Sequence, residues 1–266
     1  MSVIPRNQVT LFFAIWMLTS SILSAKPTPD TTNQSAQKQG YIFVYGGEIK
    51  KEYIKFVAAL TKKEKPKIGF FPTGTADNPQ VINHFYYLCS ALQVEPRIVY
   101  TWVSSNYCKQ SFDDMILDLD AIIVGGGNTL NMIAIWKAQG IDTILKKASD
   151  KGIVLAGGSA GSICWFNSGI SDSRPQSLSV VNGLGFLNYS HCPHYSNEAP
   201  RKQLFQESII GKVIEAGYAC DEGSALLFRN GKFEKSYSLS ADSHSYFVEI
   251  MDSKIKETIL TQELLK

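Results

Sequence analysis

Ile153-Val154-Leu155-Ala156 runs directly into Gly157-Gly158-Ser159-Ala160-Gly161, and this junction constrains the chain more than any other stretch. A short apolar run bounded by glycines reads as a buried strand. The residues behind it, Ser162-Ile163-Cys164-Trp165-Phe166, read as the first turns of a helix. A serine at the bend between strand and helix is the context of a nucleophile elbow, G-x-S-x-G. Small residues let the backbone reverse with no side chain in the way. The hydroxyl then stands above the sheet edge, and free amides at the helix start can face a developing oxyanion. The same letters also suit an ordinary glycine-rich turn or a phosphate cradle.

A second turn of the same kind narrows these readings. Asp120-Ala121-Ile122-Ile123-Val124 reads as another buried strand, ending in Gly125-Gly126-Gly127-Asn128-Thr129, with helical periodicity from Leu130 to Trp136. In an open parallel sheet both turns lie at the carboxyl ends of strands, where ligands bind. One turn would present the nucleophile and the other bare amides to a carbonyl oxygen. Asn128 suits a helix N-cap and is also expected to contact the substrate.

A base is then required, and the chain has four histidines. His84 lies in a helical-looking stretch and reads as packing, whereas His244 reads as a surface loop residue. Ser190-His191-Cys192-Pro193-His194-Tyr195 remains. Pro193 biases this segment toward extended backbone, a rigid carrier for a base that must reach Ser159. Two histidines around a cysteine also raise zinc, but no second group of ligands accompanies them, so no metal is expected.

Gly-Gly-Gly-Asn-Thr at 125–129, Gly-x-Ser-Ala-Gly at 157–161 and Cys-Pro-His-Tyr at 192–195 together resemble the signature set of the S51 serine peptidases. That family includes aspartyl dipeptidase (peptidase E) and cyanophycinase. The resemblance runs from about Tyr41 to Leu239 and takes in Phe71-Pro72-Thr73 and Asp221-Glu222-Gly223-Ser224-Ala225. It implies a class I glutamine amidotransferase-like fold, with Ser159 as nucleophile and His194 as general base. Backbone amides near Gly126, Gly127 and Ala160 would form the oxyanion hole, with no cofactor. Asp172, at the place matching an aspartate between serine and histidine in peptidase E, is expected as the third member. Glu198, just beyond the histidine, is its rival; Asp221 and Glu222, beside Gly223, read as a plain turn. Peptidase E-like enzymes recognise an N-terminal aspartate, and Arg201 resembles the arginine of that region, so it is expected to grip a substrate carboxylate.

Length and composition agree with one α/β domain: 266 residues, 44% hydrophobic and 19% charged. Strands are expected at Tyr41 to Tyr45, Lys67 to Phe71, Arg97 to Tyr100, Asp120 to Val124 and Ile153 to Ala156. Helices near 50–63, 78–93, 128–148 and 160–167 alternate with them. Such alternation predicts a mostly parallel sheet flanked by helices, flavodoxin-like in outline. Ala225 to Glu234, with Asn230-Gly231 at its centre, predicts a C-terminal hairpin. A net charge of +2 with scattered basic residues leaves no nucleic-acid footprint.

Arg6, the apolar run Leu11 to Leu18 and the small residues Ser20, Ser21, Ser24 and Ala25 predict a secretory signal peptide over 1–25, followed by a polar, disordered linker over 26–40. The catalytic domain would then span 41–266, in the periplasm or outside the cell. The apolar run is too short for a stable membrane span, although an uncleaved anchor stays open because Leu23 fits the cleavage site poorly. Five cysteines allow one disulfide among Cys89, Cys108 and Cys220. A small peptide is the expected partner, and a homodimer stays open. A serine esterase or amidase and a non-catalytic binding module on the same fold are the competing readings. Against an α/β-hydrolase-type esterase, Asp172 follows Ser159 by only 13 residues.

Overall fold

The computed structural model describes residues 40–102 and 109–266. The signal peptide, nearly all of the linker and Cys108 lie outside the described residues. β1 (Tyr41–Tyr45), β2 (Lys67–Phe71), β3 (Glu95–Ile98), β4 (Ala121–Val124) and β5 (Val154–Gly158) pair in parallel, in the spatial order β1-β5-β4-β2-β3. Both faces are covered, which is why Tyr41-Ile42-Phe43-Val44-Tyr45 carries no polar alternation. Ile42 and Val44 pack with Ile116 of α3 (Phe112–Leu117), Trp136 of α4 (Thr129–Gln139) and Leu145 of α5 (Ile141–Asp150). Phe43 and Tyr45 pack with Tyr53 of α1 (Lys51–Leu60) and Phe85 of α2 (Pro79–Cys89) on the other face. Each large apolar side chain buried this way contributes roughly 1.5–3 kcal/mol.

The chain then builds a second sheet. After the single turn α6 (Ala160–Ile163) come β6 (Phe166–Arg174), β7 (Ser177–Asn182), β8 (Leu187–Pro193), α7 (Ala199–Ile210) and β9 (Gly217–Cys220). β6, β8 and β9 pair in parallel, flanked by antiparallel β7 on one side and by β12 (Ser245–Met251) and β13 (Lys254–Ile259) on the other. α7 closes a smaller core over this sheet through Phe205 and Ile209, against Ile170, Cys192 and Tyr195. The remaining strands, β10 (Ser224–Arg229), β11 (Lys232–Ser238) and β14 (Gln262–Leu264), extend the first sheet beyond β1.

Several elements differ from expectation for local reasons. The single helix expected over 128–148 is two, because Gly140 adopts φ 72 and ends α4. The helix expected over 160–167 stops at Ile163, and Phe166 opens a strand. Phe166 stacks on His191 and meets Phe228 edge-on, so burial between strands overrides local helical pattern. Cys89, Cys164, Cys192 and Cys220 are buried free thiols, so Cys89 and Cys220 do not pair with each other. Among the described residues no helix is long and apolar enough to cross a membrane.

The C-terminal hairpin forms where expected. Asn230 (φ 52) and Gly231 (φ 76) make the left-handed two-residue turn between β10 and β11. Gly40 is tied to that turn, its N–H donating to Asn230 Oδ1 at 3.0 Å and its carbonyl accepting from Asn230 N at 2.9 Å. A Cβ on Gly231 would meet nothing within 4 Å, so only backbone strain opposes a side chain there. Gly231→Ala should therefore cost about 1 kcal/mol, read as a lower denaturation midpoint with unchanged slope.

Candidate active site

A cavity of about 550 Å³ opens at the carboxyl ends of the parallel strands. Its walls come from the segments following β1 (Gly47, Glu48, Ile49), β2 (Thr75) and β4 (Gly125 to Gly127), and from the end of β5 (Gly158, Ser159). Gln80, Val81 and His84 of α2 close one side, and His194 closes another. His84, expected as packing, thus turns its exposed side chain to the cavity.

Ser159 holds φ 52 and ψ −121, a conformation that disfavours any residue with a Cβ. The turn is compressed from several directions. A Cβ at Gly157 would lie 2.0 Å from Gly161 O, one at Gly158 would lie 2.0 Å from the Tyr45 ring, and one at Gly161 would lie 2.2 Å from Val124 O. Close backbone approach explains the glycines on both sides of the serine. α6 is one turn long, so individual amides matter here more than a summed helix dipole.

Ser159 Oγ lies 2.9 Å from His194 Nε2, and His194 Nδ1 lies 2.8 Å from Glu222 Oε1. His194 directly follows β8, and its N–H donates to Gly46 O at 3.2 Å, tying the histidine loop to the end of β1. Glu222 follows β9, and its N–H donates to Asn197 Oδ1 at 2.7 Å. Buried Asp221 accepts from Ser196 N at 2.8 Å, His244 N at 3.1 Å and Tyr246 Oη at 3.0 Å. One carboxylate therefore pins the loops that carry the histidine and the glutamate.

The acid partner of His194 is a correction. Asp172 was expected there and Glu198 was its rival, but both carboxylates turn to Arg201. Asp172 Oδ2 lies 3.0 Å from Arg201 Nη2, and Glu198 Oε2 accepts from Arg201 Nε at 2.6 Å. Arg201 is 4% exposed and also donates to Ile170 O at 3.2 Å. A buried guanidinium left unpaired is costly, and this one captures both acids. Arg201 is correspondingly not among the cavity walls, contrary to its expected place beside the substrate. Asn128 is likewise occupied elsewhere: its Oδ1 caps α4 by accepting from Asn131 N at 2.9 Å, and its Nδ2 donates to Ser173 O at 2.9 Å. Glu222 could have been found as an acid two residues past the buried strand Gly217-Tyr218-Ala219-Cys220, which runs parallel to the strand that leads into His194.

Gly126 backs directly on the serine, since a Cβ there would lie 3.3 Å from Ser159 Cβ. The amides of Gly126, Gly127 and Ala160 make no hydrogen bond among the described residues. His191, three residues before His194, turns away from the cavity and is fully buried. Among the described residues no group of three or more His, Cys, Asp or Glu is arranged to hold a metal ion.

An α/β chain with a hydrogen-bonded Ser–His–Glu series at the carboxyl edge of its sheet has the makings of a hydrolase. The sequence pattern of Peptidase family S51 matches residues 42–236, and the chain belongs to that family. It is 36% identical over 211 residues to an uncharacterized peptidase, YgaJ, of Bacillus subtilis (strain 168), covering 79% of this chain and 90% of the relative. Peptidase E of Shewanella denitrificans is 27% identical over 185 residues, with 65% and 75% covered. The fold is shared with the crystal structure of a peptidase from an acI-B1 Actinobacterium, at TM-score 0.65 and 15% identity over 85% of this chain and 96% of that one. A putative peptidase E protein of Listeria monocytogenes EGD-e superposes at TM-score 0.57 and 18% identity, over 76% of this chain and all of that one.

The two carboxylate environments separate in a mutational test. Glu222→Gln should lower kcat by about 10²-fold or more through loss of the imidazole's anionic partner. Asp172→Asn should leave kcat within about threefold and cost under about 1 kcal/mol of stability, since the Asp172 carboxylate is largely solvated.

Proposed function

We propose that the protein is a serine peptidase acting on short peptides through Ser159, His194 and Glu222. The continuous hydrogen-bonded series from Ser159 Oγ through His194 to Glu222, open to the cavity, carries this reading. Ser159 Oγ attacks the scissile carbonyl carbon while His194 Nε2 takes the hydroxyl proton. Glu222 accepts from Nδ1–H, which selects the tautomer whose Nε2 is a base and stabilises the imidazolium that forms. The carbonyl oxygen becomes an oxyanion facing the unspent amides of Gly126, Gly127 and Ala160. The C–N bond then breaks, and His194 returns its proton to the departing amine. A water, deprotonated by the same imidazole, hydrolyses the acyl-serine to the free acid.

For the residue beside the scissile bond, an N-terminal aspartate gripped by Arg201 is the preference that the resemblance to peptidase E implies. The geometry favours a different reading. Arg201 is buried and engaged with Asp172 and Glu198. The cavity walls include Glu48 but no arginine or lysine among the described residues, and the Glu48 carboxylate lies 4.0 Å from Lys50. A substrate carboxylate would give up hydration without a partner, whereas an uncharged or basic residue would not. The N-terminal pattern also supports export, for which a mature chain beginning after Ala25 is the expected product.

Ser159→Ala should abolish peptide hydrolysis and labelling by a fluorophosphonate while the protein stays folded; an alanine variant that keeps its activity sinks the mechanism. A dipeptide panel on the wild type should show neutral or basic first residues hydrolysed faster than aspartate. A preference for aspartate that disappears in Arg201→Ala would restore the arginine grip and reject the cavity-based reading.

A further inference from the structure

Beneath the Ser159–His194 couple lies a second serine–histidine couple that the proposed chemistry does not use. His191 is completely buried on β8, its ring stacked on Phe166 at 4.4 Å between centroids and 7° between planes. Its Nδ1 lies 3.0 Å from Tyr218 O, and its Nε2 lies 2.9 Å from Ser162 Oγ. Ser162, also completely buried, donates its hydroxyl to the carbonyl oxygen of Ser159 at 2.6 Å. The same carbonyl accepts from Ser162 N at 2.9 Å and Ile163 N at 3.2 Å. Three donors thus converge on the backbone oxygen of a residue held at φ 52 and ψ −121.

Resting on the reading of Ser159 as nucleophile, we propose that His191 and Ser162 form a buried positioning pair. The pair holds the Ser159 carbonyl, and through it the strained backbone of the nucleophile, in line with His194. A residue with a Cβ keeps φ 52 and ψ −121 only where its surroundings over-determine it. The Ser159 N–H supplies one anchor, donating to Tyr45 O at 3.2 Å, and the carbonyl end supplies the other.

Proton accounting defines the role of the imidazole. Tyr218 O can only accept, so Nδ1 carries a proton and Nε2 of the neutral ring carries none. The single Ser162 proton is then shared between two acceptors, Ser159 O and Nε2. Burial holds the ring uncharged, lowering its pKa from the usual 6.5 to about 3, and the nearby His194 acts in the same direction. His191 is therefore a fixed acceptor that limits how Ser162 can rotate, and it moves no proton to or from substrate.

The rate of fluorophosphonate labelling at Ser159 reads this alignment without any need to know the substrate. Ser162→Ala and His191→Gln should each slow labelling by roughly 10- to 100-fold with the chain still folded, the scale expected for a displaced nucleophile. The double variant should be no slower than the slower single variant, and the pH dependence of labelling should keep its wild-type shape. Wild-type labelling rates in both single variants, even with lower melting temperatures, would reduce the pair to a packing role and overturn the proposal. Additive losses would overturn the pairing, and a pH profile displaced in His191→Gln would make the ring a titrating group. If His191→Gln fails to fold, Ser162→Ala decides alone, since it removes one oxygen. A wild type that resists labelling removes the nucleophile reading and this proposal with it, whereas labelling lost only in Ser159→Ala leaves that reading standing and rejects this one.

Discussion

The strained turn at Ser159 is the constraint on which the rest of the site depends. A serine at φ 52 and ψ −121 points its hydroxyl away from the strand it ends and toward His194, at a cost of about 1–3 kcal/mol in backbone energy. That cost is offset by contacts from all sides: the glycines that let Tyr45, Gly161 and Val124 press against the turn, and the hydrogen bonds at both ends of the residue. The same compression brings Gly126 against Ser159, so the glycine turn after β4 and the Ser159 hydroxyl are set by one piece of packing.

Ser159 follows a strand of the first sheet, whereas its hydrogen-bonded partners follow strands of the second. His194 and Glu222 succeed the adjacent parallel strands β8 and β9, so neighbouring strand ends place an imidazole beside a carboxylate. The two sheets share an apolar core, in which Phe166 of β6 meets Phe228 of β10, and polar groups fix the loops around the site. His194 N–H reaches Gly46 at the end of β1, and Asp221 holds the Ser196 and His244 backbones together. Acidic side chains thereby divide between two tasks, Asp221 fixing loops and Glu222 facing the imidazole.

Arg201 illustrates how burial decides chemistry. An exposed arginine beside a histidine loop is a reasonable carboxylate receptor. At 4% exposure the same guanidinium must find its countercharges within the protein, and Asp172 and Glu198 supply them. The result removes two candidate acids and one candidate receptor from the cavity together, and leaves Glu48 as the carboxylate on its wall.

By itself the sequence determined the parallel sheet, both glycine-rich turns, the pairing of Ser159 with His194, and the hairpin at Asn230-Gly231. These are local matters: apolar runs of strand length, glycines where backbones meet, and a turn that demands left-handed dihedrals. The second sheet was not legible, because Phe166 to Arg174 has no clean alternation and is held as a strand by its neighbours β7 and β8. Nor was the third member of the series. Position relative to His194 put Asp172 first and Glu198 second and read Glu222 as part of a turn, because distance along the chain does not report which carboxylate a neighbouring strand brings to the imidazole. Only tertiary structure decided, by burying Arg201 next to two of them and bringing the ends of β8 and β9 side by side for the third.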